Sequence, residues 1–279
     1  MARANHSAHP IQVLRDATTA LEAAILLCLA DPEKSAVHRL RTTTRRIEAQ
    51  VELLSMLPGL PPHDQQQRKV LRLLKKIRRS AGKVRDVDVQ RSLIRDEAAG
   101  SKGARRPEDD IRAEARRLRR ELKYKREQEA DHLLRLLHKQ QARLPIVFEK
   151  LLAALAPADS ITLSEATLTA LVRDWYQQRS DHPHSDSAPQ DAEDFHEIRK
   201  RAKLARYLAE SAPKSAPVAR QLAAQFESLQ QAGGQWHDWL LLAEVSASKL
   251  GGSAKLPQIF SAKTNRALEN FKRRLHHKI

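Results

Sequence analysis

His38, Arg41 and Arg45 follow one another at steps of three and four residues, and His196, Arg199 and Lys203 repeat those steps further along the chain. Arg and Lys are cationic at neutral pH, and an imidazole gains charge beside an anion. A guanidinium also forks two N–H donors onto the oxygens of a phosphate or carboxylate. On a helix, His38, Arg41 and Arg45 fall within about 60° of arc. Arg46 lies beside them, while Leu40, Ile47, Val51 and Leu54 lie opposite and must meet a core. In the second set Lys200 and Arg206 join the cationic side, with Phe195, Ile198 and Ala205 directed away. Such side chains are suited to grip an anion.

A third stripe is longer. Arg68, Arg72, Lys75 and Arg79 occupy about 60° of arc, with Lys76 alongside and Val70, Leu73, Leu74 and Ile77 opposite. A merely solvated face mixes signs and places Glu four residues from Lys or Arg. Here no acidic residue lies between Gln65 and Lys83, so the like charges repel without relief. Fold stability does not ask for that pattern; an anion that neutralises it does. A long charged segment adds Arg116, Arg119, Arg120 and Lys123, partly offset by Glu114 and Glu121, and the last segment adds Lys263, Arg266, Lys272, Arg273 and Arg274. Gly82-Lys83-Val84-Arg85-Asp86 matches Gly234-Gln235-Trp236-His237-Asp238, which offers Arg85 and His237 as further contacts.

Other chemistries fit poorly. No His-x-x-x-His pair with a carboxylate follows His38 or His196, so no metal is expected. Asp86 and Asp88 diverge by about 200° on a helix and cannot share an ion. Asp86 and Asp238 either cap a helix start after Gly or pair with a stripe cation. His182 and His184 fall in a loop and His276 and His277 in a tail, where they read as incidental. The one cysteine, Cys28, excludes an intramolecular disulfide and a multi-Cys zinc site, and its apolar surroundings at Leu21–Ala30 predict a buried thiol.

These residues must be held by helices. The 279-residue chain is 41% hydrophobic, carries only 8 Gly and is rich in strong helix formers, so the fold class expected is all-α. Its formal charge of +16, from 50 Lys+Arg against 34 Asp+Glu, points to nucleic acid, an acidic membrane or a simpler polyanion. Helices are expected over about 11–30, 33–57, 65–81, 84–99, 107–142 and 146–155, with Gly82 stopping the third. Ser160 or Ser164 then caps a helix reaching Gln178, and Ser180–Ala192 is a loop. Further helices are expected near Glu193–Glu210, Val218–Ala232, Trp236–Lys249 and Leu256–His277. The Leu21–Ala30 stretch is about half a bilayer span, and Met1–Pro10 lacks the apolar run of a secretion signal. A cytoplasmic protein without membrane contact is expected.

The chain repeats itself. Positions 38, 41 and 45 recur at 196, 199 and 203, a constant offset of 158 residues, and the Gly motif recurs at an offset of 152. This doubling predicts two antiparallel helical bundles related by a pseudo-two-fold. Residues 1–9 form a tail, 10–142 the first copy and 143–279 the second.

The doubled pattern of His38, Arg41, Arg45, Arg46 with Gly82, Arg85, Asp86, and of His196, Arg199, Lys203, Arg206, Tyr207 with Gly234, His237, Asp238, resembles the conserved histidine α-helical domain family, CHAD, over residues 10–277. The resemblance implies a basic central cleft or channel that binds inorganic polyphosphate, no cofactor, and, as in phosin-like members, association with polyphosphate granules and their proteins. The chain departs from the family at Arg39, Thr42–Thr44, Leu204, Trp236 and Trp239. Some members also carry a tunnel-type triphosphatase with a Glu-x-Glu-x-Lys strand; Glu127-Gln128-Glu129-Ala130-Asp131 lacks the Lys and sits in a helical stretch. The main rival reading is a nucleic-acid binder. Against it, aromatics are 4% of the chain, none is expected to interleave the stripes, and no helix–turn–helix is legible. A phosphate-transfer or polyphosphate-hydrolysing enzyme using His38 or His196 is disfavoured by the lack of a Gly-rich phosphate loop or a carboxylate cluster for magnesium.

Overall fold

Runs of Leu, Ala, Arg, Lys, Glu and Gln propagate helix wherever no breaker intervenes. A computed structural model describes residues 7–100, 109–179 and 191–275, and the chain is all-α. Its helices are α1 (Pro10–Ala30), α2 (Lys34–Ser55), α3 (Asp64–Ala99), α4 (Asp109–Gln141), α5 (Arg143–Ala154), α6 (Glu165–Gln178), α7 (Ala192–Ala209), α8 (Pro217–Leu250) and α9 (Lys255–Leu275). A 3₁₀ turn over Ala156–Ser160, not anticipated from the sequence, follows α5. Ser164 caps α6 by accepting from the Thr167 N–H, and Asp191 caps α7 by accepting from Glu193 and Asp194. His182, His184, His276 and His277 lie outside the described residues, as does most of the Ser180–Ala192 segment.

Two expected breaks are absent. Gly82 does not stop a helix: α3 runs for 36 residues through it. Gly233 and Gly234 likewise lie inside α8, a single helix of 34 residues rather than two. Left-handed backbone is instead found at Gly59, Gly100 and Gly251. Gly251 caps the end of α8, its N–H bonding Ala247 O. An interior helical Gly costs about 0.5–1 kcal/mol relative to Ala, too little to break a helix whose flanks are buried. At Gly233 there is a packing reason for the missing side chain. A Cβ there would stand 2.8 Å from Cζ of Phe271, so the glycine lets α9 approach α8.

The chain packs as two compact units, each drawing on both sequence copies. Among the described residues the first comprises 7–79, 134–179 and 191–230; the second comprises 80–100, 109–133 and 231–275. In the first, α1 packs on α2, α2 on α7 and α6 on α7. Leu14, Leu21, Leu40, Ile47, Leu54 and Phe226 are fully buried there. Cys28 is buried too, and burial pushes its thiol up to about 11. Glu165 of α6 accepts from the Val218 and Ala219 N–H groups that open α8. In the second unit Val87 and Ile94 of α3, Leu118 and Leu122 of α4, Leu242 of α8 and Phe260 of α9 form one core. There Glu114 of α4 accepts from Lys255 and Leu256 N–H at the start of α9. In both units a carboxylate from another helix meets orphan N–H groups and the positive end of a helix dipole.

Adjacent glycines should therefore respond oppositely to the same change. Gly233→Ala drives a methyl into the Phe271 ring and should destabilise by about 1–3 kcal/mol. Gly234→Ala meets nothing within 4 Å and should stabilise by roughly 0.5–1 kcal/mol. Urea midpoints of the two variants check this, and a shift of the same sign in both would contradict it.

Candidate anion-binding site

The first unit gathers three arginines from two helices. Leu40, Ile47, Val51 and Leu54 bury one face of α2, which leaves Arg41 and Arg45 on the opposite side. Thr43 and Thr44, departures from the family pattern, are buried and bond back to Arg39 O and Arg41 O. Arg41 donates from Nη1 to the backbone oxygen of Arg78 on α3, at 3.2 Å. Arg45 and Arg78 both donate to Oε2 of Glu48, at 2.7 and 2.8 Å. Burial and then the charge of Arg45 pull the Arg78 pKa down, and Glu48 opposes both. Arg78 was not legible as a site residue because it stands to one side of the Arg68–Arg79 stripe. The signal for its partner was Glu48, three residues after Arg45.

Helix α7 packs beside α2 in the same unit. Phe195, Ala202 and Ala205 are buried, whereas Ile198 is half-buried. Arg206 is fully engaged: Nε meets Glu210 at 2.7 Å, Nη1 meets Glu227 at 2.9 Å, and the guanidinium lies over the Tyr207 ring. Burial lowers its pKa, but these carboxylates outweigh burial and raise it. Lys200 pairs with Glu197. His196 has its pKa lowered by burial first and then by Arg199, with Lys200 adding to the effect and Glu193 and Glu197 opposing it. His38 has Thr42 Oγ1 3.5 Å from Nε2. His38, Arg41, His196, Arg199, Lys203 and His237 all keep further interactions within the chain.

In the second unit the two Gly motifs meet through charge. Arg85 of the first clasps Asp238 of the second with two bonds, 2.6 and 3.0 Å, and touches Asp86 at 3.2 Å. Burial lowers the Arg85 pKa, while Asp238 and then Asp86 outweigh it and raise it. Of the two roles open to Asp86 and Asp238, pairing with a cation holds. Helix capping does not, because both sit inside continuous helices. Trp236 stacks on Phe271 and is buried in the core, whereas Trp239 packs on Phe260 at the core's edge and is partly buried. Lys263 pairs with Glu97 and lies over Trp239.

The remaining candidates point outward. Arg68, Arg72, Lys75, Lys76 and Arg79 in the first unit are exposed, as is Arg46. None of the five on α3 forms an ion pair among the described residues. Arg116, Arg119, Arg120 and Lys123 on α4, and Arg266 and Arg273 on α9, are exposed and unpaired on the same terms. The expectation that no aromatic interleaves the cations fails on α4: Tyr124 is 65% exposed, four residues after Arg120. Among the described residues no group of three or more His, Cys, Asp or Glu could hold a metal ion, and no helix is long and apolar enough to cross a membrane.

Known proteins resemble the chain in sequence family and in fold. The CHAD domain family model matches residues 12–247. The crystal structure of the CHAD domain from the plant Ricinus communis is similar with a TM-score of 0.60 at 16% identity, covering 100% of this chain and 95% of that one. PptA from Streptomyces chartreusis is similar with a TM-score of 0.65, also at 16% identity, covering 96% of this chain and 98% of its own. No curated protein matches the sequence.

The depressed pKa of His196 has a definite pH signature. An unfolded imidazole takes up a proton near pH 6.5 before the folded one does. Below that pH the unfolded state binds more protons, so stability falls as pH drops from 6.5 through the folded pKa and then levels off. Histidine NMR should report His196 titrating below 6.5, and His196→Gln should flatten that limb of the stability curve. A titration at or above 6.5 in the free protein would contradict the assignment.

Proposed function

This chain belongs to the CHAD domain family, and on that premise we propose that it binds inorganic polyphosphate without altering it chemically. Polyphosphate bears negative charge along its whole length and offers no base, sugar or side chain to read. Recognition must then be electrostatic and multidentate, from Arg forks and Lys point charges. The observation that carries the reading is the face of α3, where Arg68, Arg72, Lys75, Lys76 and Arg79 repel one another over three helical turns without an ion pair among the described residues. A polyanion laid along that face relieves the repulsion and releases counterions, which makes affinity fall steeply with salt.

The other cations take different parts. Arg41 and Arg45 of α2 meet α3 at Arg78. Arg46 would take a phosphate from α2, and His38 and His196 would donate an N–H to a phosphate oxygen and gain charge beside it. Arg116, Arg119, Arg120, Lys123, Arg266 and Arg273 would take phosphates in their own right. Arg85 and Arg206, committed to carboxylates, serve to hold helices together. No cofactor enters the reading. In a cell the chain would sit in the cytoplasm at polyphosphate granules, with granule proteins as further partners.

A second reading, nucleic-acid binding, draws on one observation: exposed Tyr124 beside Lys123 and Arg120 supplies a stacking surface on a basic helix. The two readings separate cleanly. Long-chain polyphosphate in excess should raise the melting temperature by a few degrees, as expected for about 2.7 kcal/mol of linkage at a hundred times Kd. Arg72→Glu with Lys75→Glu should weaken binding by more than about tenfold without unfolding the protein. Unchanged affinity in a folded double variant removes α3 from the site. Tyr124→Ala should leave polyphosphate binding intact; a loss of single-stranded oligonucleotide binding that exceeds any loss for polyphosphate would favour the second reading.

A further inference from the structure

We propose that the Glu48 carboxylate is a resident counter-anion, which a phosphate group must displace from Arg45 and Arg78, so that the site selects long phosphate chains over short ones. The inference rests on the reading of the chain as a polyphosphate binder.

Arg45 and Arg78 come from different helices and converge on one oxygen, Oε2 of Glu48. Each guanidinium carries five N–H donors. Beyond the single bond that each makes to Glu48, neither has another hydrogen-bond partner among the described residues. Two cations thus share one carboxylate in a setting where the side chains are only 19%, 16% and 21% exposed for Arg45, Arg78 and Glu48. Arg41 bonds the backbone oxygen of Arg78, a further link between α2 and α3 beside the pair. The cluster therefore has an excess of positive charge, an excess of donors and little water to serve either. A phosphate group offers more acceptor oxygens than Glu48 supplies, and its geometry matches paired guanidinium forks.

Displacing Glu48 sets a threshold. A short chain meets it with few phosphates and gains little elsewhere. A long chain already held by Lys75 and Arg79, on the same helix as Arg78, presents its next phosphate intramolecularly, at effective concentrations in the millimolar range. Glu48 then penalises short chains far more than long ones. It would act through Arg45 and Arg78 as a specificity-determining residue.

The test compares Kd for tripolyphosphate and for long-chain polyphosphate in the wild type, Glu48→Gln and Glu48→Asp, with circular dichroism and melting of each. Glu48→Gln keeps the shape and removes the charge. It should tighten tripolyphosphate binding by about tenfold or more and long-chain binding by less than about threefold, narrowing the ratio between them. Glu48→Asp, too short to span both guanidiniums, should shift the same way by a smaller factor, and it carries the test if Glu48→Gln does not fold. Unchanged or weaker tripolyphosphate binding in a folded variant, with long-chain binding retained by the wild type, overturns the competitor role and leaves the function standing. Absence of long-chain binding in the wild type overturns the proposed function, and this inference with it.

Discussion

Cations held one helical turn apart on a rigid rod cannot move away from one another, and that constraint organises this protein. On α3 the run from Arg68 to Arg79 contains no acidic residue, and its exposed members make no ion pair among the described residues. The apolar side of the same helix, Val70, Leu74 and Ile77, is fully buried. Packing therefore fixes the rod's rotation and aims the repelling face outward. The cost of that repulsion is modest in water and falls with salt. An anion that spreads along the face can recover it.

Elsewhere the chain neutralises its charge with care. Cations at packed positions have carboxylates: Arg85 on Asp238, Arg126 on Asp88, Arg206 on Glu210 and Glu227, Lys263 on Glu97. A partly buried charge without a partner is costly, so pairing follows burial. Among the described residues the cations of the α3 face, which form no ion pair, are exposed ones that a ligand can reach. The cluster of Arg45, Arg78 and Glu48 stands between these cases, because it is largely buried yet two guanidiniums share one carboxylate.

The repeat is conspicuous in the sequence, but its two Gly motifs do different work once folded. Gly233 admits the Phe271 ring against α8. Arg85 of the first copy clasps Asp238 of the second, so neighbouring, non-equivalent positions of the two motifs have become partners rather than parallel ligands. His237, the counterpart of Arg85, is left half-buried, with Trp236 buried in the core before it in sequence and Trp239 packed on the core's edge after it.

Composition and period determined the all-α class, a helix start after Ser160 or Ser164, and the outward face of α3, because these depend on neighbours within a turn or two of the same helix. The family, too, was readable from the doubled His-x-x-Arg pattern. Tertiary structure alone decided which cations are spoken for. Whether Arg206 is a ligand arm or a strut depends on Glu227, which lies on another helix, and the role of Arg85 depends on Asp238, 153 residues away. For the same reason Gly82 and Gly233 read as stops and are not. Glycine lowers helix propensity by an amount that packing across a helix pair readily offsets, and no local window contains the facing helix.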